Sequence, residues 1–344
     1  MSVNLTQPIF FERNRVGRVY VGGKLFGDFF GDGSVDGLLP EEWIASTVRA
    51  LNKGGTDPKE GVSRVRGTDV YFDELLKMHR SELIGPRENL GLLVKMLDSA
   101  IRLPVQVHPD KGFSRRHFGS DYGKAESWIV VGVREGARIY LGFNDSADRV
   151  GFERAIELSR DKVDGFGHML NEIAVSPGDC FFIPPNIVHA IGPGCLILEI
   201  MEPTDFTISP EHFCGDYELD YDEMYLGLDK ETALSVFDFN AFDAKKLNPK
   251  TLRSDRFVTY ESIVDESVTD CFAVNRLRVN GGKAALDQAP AIYVVTQDRG
   301  LLVGDGYERP LVRGDYFFLP YAAMGRFEVK SDQIELYECL PPKL

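Results

Sequence analysis

Gln106, His108, Glu126 and His189 are the residues of this sequence best suited to chemistry by type and spacing. Gln106 and His108 stand two apart in LPVQVHP, and on an extended strand alternate side chains share a face. Pro109 ends that strand, and Glu126 falls on the next expected strand after a polar loop. His189 follows Pro184 and Pro185 in PPNIVHAI, on a later strand. An amide oxygen, two imidazoles and a carboxylate form a mixed nitrogen and oxygen donor set. Such a set suits a borderline divalent ion such as Zn²⁺ with a position open to water. The same residues also fit hydrogen-bonded structural histidines in a β-rich chain, and spacing alone leaves both readings open.

The elements that would position them are mostly short strands. Runs such as ESWIVVGV, ARIYLGF, CLILEIM, AIYVVTQ and IELYECL are rich in Val, Ile, Phe and Tyr and are punctuated by Gly, Pro, Asp and Asn. That pattern predicts a mainly β fold of the sandwich or barrel kind. Helical patterns are few: Phe72 to Leu83, Phe152 to Ser159, and a connector from Tyr221 to Leu234. The segment PGDCFFI at 177–183, followed by Pro184, recurs as RGDYFFL at 313–319, followed by Pro320. Each copy reads as a Gly-Asp turn, an apolar strand and a proline stop. His189 lies eleven residues after the glycine of the first copy, and Gly325 holds the same place in the second. All six histidines (His79, His108, His117, His168, His189 and His212) precede residue 240. The expected division is a metal-binding unit with helical segments over 1–240 and a C-terminal β unit without metal ligands over 250–344.

Bulk properties narrow the partners. At 344 residues the chain is long enough for about two domains. With 39 basic against 53 acidic residues, the formal charge is -14. Nucleic acid and anionic membranes both need a basic footprint, so neither is expected as a partner. A small anionic substrate is still compatible, given a local Lys and Arg cluster. Five scattered cysteines without a CxxC pair fit a reducing compartment. No signal-peptide pattern and no long apolar run appear, so the expected location is cytoplasmic. The acidic surface leaves a monomer and a small homo-oligomer equally open.

Four segments carry a resemblance: KMLDSAIRLPVQVHPDK (95–111), GKAESW (123–128), SPGDCFFIPPNIVHAIGPG (176–194) and LILEIMEPTD (196–205). Together they resemble the type I mannose-6-phosphate isomerases, zinc enzymes of the cupin superfamily. The resemblance continues more weakly at VGGKLFGDFFG (21–31) and EEW (41–43). It implies two cupin-type β-barrel (jelly-roll) units with a few short helices. It also implies one Zn²⁺ per chain on Gln106, His108, Glu126 and His189, although the donor set tolerates other divalent ions. Lys95, Lys124, Glu41, Glu199 and Asp205 match polar residues around the family's active site. Lys124, Glu199 and Asp205 are the expected catalytic residues, and Lys95, Glu41 and Arg116 the expected substrate contacts. The implied activity is aldose–ketose isomerisation of mannose-6-phosphate to fructose-6-phosphate.

One departure bears on the substrate. The family carries an arginine four residues after the position of Asp205, and here that residue is Ser209. A neutral hydroxyl cannot replace a planar, permanently charged guanidinium. Arg102, Arg115, Arg116 and, more weakly, Arg49 are the expected replacements. Otherwise the chain acts on a different sugar or sugar phosphate, or is a non-catalytic cupin that binds sugar through its metal site.

Overall fold

The computed structural model describes residues 3–344. The chain is mainly β, and its ladders are antiparallel throughout, in sheets of nine, six, three and two strands. No sheet closes on itself among the described residues. The six-stranded sheet lies in the middle of the molecule. Its core strands are Glu41–Ile44, Leu93–Ser99, Cys195–Met201 and Glu126–Val133, hydrogen-bonded side by side in that order.

The period of two decides what each face meets. On Cys195–Met201, Leu196, Leu198 and Ile200 pack with Ile292, Val294, Phe318 and Tyr337 of the nine-stranded sheet. Cys195 and Ile197 turn the other way, toward Ile139 and Leu141 of the three-stranded sheet and Phe152 and Ile156 of a helix. Both faces of the middle sheet are largely apolar; away from the site its buried charges are Glu42, paired with Arg15, and Asp98, paired with Arg134. All five cysteines are buried and unpaired.

Helices are short, as the sequence implies. Arg149–Ser159 starts at Asp148, whose carboxylate accepts the Gly151 N–H. The expected helix from Phe72 is broken at His79 into Phe72–Met78 and Arg80–Ile84. The stretch after HPDK, expected as a polar loop, is instead the helix Lys111–Phe118, capped by Asp110 accepting from the Phe113 N–H. Its mainly polar composition hid it, and the Asp at its N-cap was the available signal.

The repeated segment is a true structural repeat. In the first copy the Gly178 N–H donates to Val130, the Val130 N–H to Asp179, and the Asp179 carboxylate accepts from the Ser176 N–H. In the second copy Gly314 donates to Val295, Val295 to Asp315, and the Asp315 carboxylate accepts from Val312. Both glycines hold positive φ, 93° and 88°. The two halves nevertheless share structure across the expected boundary. Strand Ile9–Phe10 pairs with Tyr316–Leu319, and so belongs to the C-terminal sheet.

Candidate active site

One row of the middle sheet sets the site. Trp43, Lys95, Glu199 and Trp128 stand directly opposite one another across four neighbouring strands. Two residues further along the Glu126–Val133 strand toward its start, on the same face, is Glu126. Both indoles act as donors. Trp43 Nε1 donates to Glu41 at 2.7 Å, and Trp128 Nε1 to Glu199 at 2.9 Å and Glu126 at 3.1 Å. Tyr20 adds a hydroxyl to Glu41 at 2.9 Å. These carboxylates are therefore held by groups that are themselves immobilised in the core.

His108 and His189 come from opposite sides and meet Glu126. Gln106 and His189 are joined by backbone bonds in both directions, at 3.0 and 2.9 Å, which fixes the Gln106–His108 segment against the strand His189–Ile191. His108 Nδ1 lies 2.9 Å from the Phe206 carbonyl and His189 Nδ1 2.8 Å from that of Ile187. A carbonyl only accepts, so both Nδ1 atoms carry the proton and both Nε2 atoms present lone pairs. Those lone pairs face each other at 3.1 Å, and His108 Nε2 lies 3.0 Å from Glu126 Oε1. Burial pushes His108 below its ordinary range and His189 down to about 3, so neither is protonated at neutral pH. Two lone pairs and a carboxylate, all buried and converging, are mutually repulsive unless a cation lies between them. His108, Glu126 and His189 form a group that could hold a metal ion. The Gln106 amide lies 3.3 Å from His189 Nε2, so its oxygen can complete the set by an amide flip.

The other polar residues expected from the sequence gather beside this group. A cavity of about 740 Å³ is lined by Gln106, Glu126, Lys124, Glu199, Lys95, Glu41 and Asp205, among others. That volume falls in the range of small-molecule sites. Lys124 Nζ lies 3.4 Å from Glu126 and 2.9 Å from the Thr207 hydroxyl. Lys95 Nζ stands 3.6 Å from Glu199, 3.8 Å from Glu41 and 3.9 Å from Asp205, and over the Trp43 ring. Burial, with the Glu126 charge added, pushes the Glu199 carboxyl up to about 8 despite both lysines. Burial also raises Asp205, but Arg18 and Lys95 outweigh it and hold the group at about 2. The cavity therefore contains one carboxyl ready to exchange a proton near neutrality and another fixed as an anion.

Arg116 does not join them. It is exposed on the helix Lys111–Phe118 and does not line the cavity, nor do Arg49, Arg102 or Arg115. Arg115 pairs with Asp121, and Arg102 with Glu211 beside a separate small cavity. Sequence reasoning missed Arg18, which does line the cavity and pairs with both Glu41 and Asp205. It also missed the outer wall, with Asn52, Lys53, Tyr217 and Asp220.

No family model matches the chain. Individual proteins do. The mannose-6-phosphate isomerase ManA of Bacillus subtilis (strain 168) is 28% identical over 335 residues, 95% of this chain and 96% of the relative. A probable mannose-6-phosphate isomerase of the same organism, GmuF, is 29% identical over 331 residues, covering 95% and 97%. A crystal structure of the Bacillus subtilis mannose 6-phosphate isomerase superimposes with a TM-score of 0.77 at 26% identity, over 96% of this chain and 99% of that one. Over nearly its whole length the chain is similar to mannose-6-phosphate isomerases. Its Streptococcus mutans relative is 32% identical over 208 residues, 59% of this chain and 60% of that protein. A solved archaeal structure, of a putative mannosephosphate isomerase from Archaeoglobus fulgidus, shares the fold at 19% identity and a TM-score of 0.73. The fold shared with the Bacillus subtilis mannose 6-phosphate isomerase is thus the frame on which the His108–Glu126–His189 group is mounted.

Proposed function

We propose that this chain is a metal-dependent aldose–ketose isomerase that interconverts mannose-6-phosphate and fructose-6-phosphate. One observation carries the reading: a potential metal group lies at a sugar-sized cavity whose wall bears Glu199, Lys95 and Lys124. Zn²⁺ held by Gln106, His108, Glu126 and His189 would supply Lewis acidity where negative charge develops on the sugar oxygens.

The chain's own residues do the rest. Isomerisation moves one carbon-bound proton from C2 to C1 and one hydroxyl proton from O2 to O1 through an enediol. Glu199 is the group to take the carbon-bound proton from C2 and return it to C1, because its raised carboxyl pKa lets it hold the proton between the two steps. Lys124 and Lys95 donate to the sugar oxygens, and both are fixed by carboxylates, so little ordering is left to the substrate. Trp128 holds Glu199 and Glu126 at once, coupling the geometry of the base to that of the metal group.

Ser209 and the outer wall favour a second reading, in which the substrate is an unphosphorylated hexose. Asp220, Asp222 and Glu223 line the mouth, and the lysine there, Lys53, is already paired with Asp220 at 2.6 Å. A phosphate dianion would meet three carboxylates at that mouth. Turnover of mannose-6-phosphate and of mannose by Zn²⁺-loaded protein, with and without chelator, tests both readings. A ratio of kcat/KM favouring free mannose selects the second reading, and no conversion of either sugar removes both.

A further inference from the structure

The cavity contains one guanidinium among the described residues, and it comes from an unexpected part of the chain. Arg18 lies in the N-terminal segment, ahead of every element that carries the metal group. Ser209 lines the same cavity, on the segment that also supplies Asp205. We propose that Arg18 is the guanidinium that grips the sugar in this site, delivered from the N-terminal segment in place of an arginine on the 205–209 wall. The inference rests on the sugar-isomerase reading and holds whether or not the sugar is phosphorylated.

Its anchoring supports a binding role. Nε lies 3.0 Å from Glu41, Nη2 lies 3.0 and 3.1 Å from the two Asp205 oxygens, and Nη1 donates to Asn52 at 2.9 Å. The Trp43 ring lies 5.2 Å from the guanidinium carbon. A guanidinium has five N–H groups in one plane. Nη1 carries two hydrogens and engages Asn52 alone, which leaves an N–H for a ligand. Two carboxylates, an amide and an indole thus fix the fork before any substrate arrives, so binding costs it little freedom. The same Asp205 accepts the Leu51 N–H at 2.9 Å, tying the 205–209 wall to the segment that includes Asn52. An arginine at 209 would reach this cavity from the wall that Arg18 already holds through Asp205.

Three variants test the assignment: Arg18→Lys, Arg18→Ala, and Arg18→Ala combined with Ser209→Arg. Lysine keeps the charge and the ion pairs but removes the planar fork. We expect Arg18→Lys to lower kcat by roughly 10²-fold, the scale for losing one preorganised donor, with metal content and melting temperature near wild type. Millimolar guanidinium chloride should restore part of the activity of Arg18→Ala, and the double variant should exceed Arg18→Ala. Calorimetric binding of mannose and mannose-6-phosphate is measured alongside. Wild-type kcat and sugar affinity in Arg18→Lys overturn the proposal, as does an Arg18→Ala protein that loses only melting temperature. If the wild type binds sugar without turnover, the isomerase reading falls, and Arg18 is judged by whether Arg18→Lys loses affinity. A wild type that binds neither sugar removes both.

Discussion

At the scale of single residues, the site is a sequence of charges held by neighbours that cannot move. His108→Ala or His189→Ala removes a nitrogen from the converging group. Metal retention should then fall by more than the roughly 10–100-fold that loss of a supporting hydrogen bond costs, read as zinc content by elemental analysis after dialysis. Glu199 gives a pH signature. Its carboxyl is raised, so the ionised form that the proposed base needs appears only as pH rises toward about 8. The rate should climb through that limb, displaced downward by the charge of a bound dication, and Glu199→Gln should flatten it. Asp205 gives the opposite sign. Its folded-state pKa, about 2, lies below the ordinary 3.8, so its stabilisation is fully present above pH 3.8 and disappears as pH falls through about 2. Between those values wild type should lose more stability in urea melts than Asp205→Asn does. Alternation along a strand put Gln106 with His108, and Lys124 with Glu126, on one face, whereas His189, Lys95, Glu41, Glu199 and Asp205 were legible as site residues only through the family resemblance. Arg18 was not, because its role depends on contacts with Asp205 and Asn52, which lie far from it in sequence.

At the scale of elements, the Gly-Asp turn was the most legible feature, since its glycine and its carboxylate each satisfy a local requirement. The two copies differ in what surrounds them. A Cβ at Gly178 would meet nothing within 4 Å, whereas at Gly314 it would lie 2.8 Å from the Phe30 ring and 3.1 Å from the Phe29 carbonyl. Both positions pay for positive φ, roughly 1 kcal/mol on substitution by alanine. Gly314→Ala should therefore lower the denaturation midpoint by clearly more than Gly178→Ala, and neither should change metal content. The helix Lys111–Phe118 was less legible, because a face of Lys, Ser, Arg and His has no sustained apolar period. The break at His79 also escaped: the backbone leaves the helical region there, at φ −134° and ψ 42°, with no Gly or Pro in the sequence to mark it.

At the scale of the whole molecule, the two repeated units are not independent bodies. Core residues from the first unit, including Val94, Met96 and Leu198, share one cluster with Ile292, Phe318 and Tyr337 of the second. Tyr316 donates to Glu42, and Arg13 donates to the Gly314 carbonyl at 3.2 Å. A fragment comprising 250–344 alone would expose the apolar face that the middle sheet covers and would lack the strand Ile9–Phe10. It should fail to give a dispersed NMR spectrum, while the full chain melts in a single transition. The boundary near residue 240 was readable from the last histidine and the loss of apolar period. The return of residues 9–10 to the far sheet was not, because two residues carry no pattern.

The pairing of Ile9–Phe10 with Tyr316–Leu319 also sets an order of events during synthesis. A ribosome releases the first of these strands long before the second, and Arg13 must wait for a carbonyl 301 residues later in the chain. Arg18 and Tyr20 follow that strand closely. The cavity wall they form is therefore settled only when nearly the whole polypeptide has emerged, so an interrupted translation product carries the metal-binding residues without a finished pocket around them.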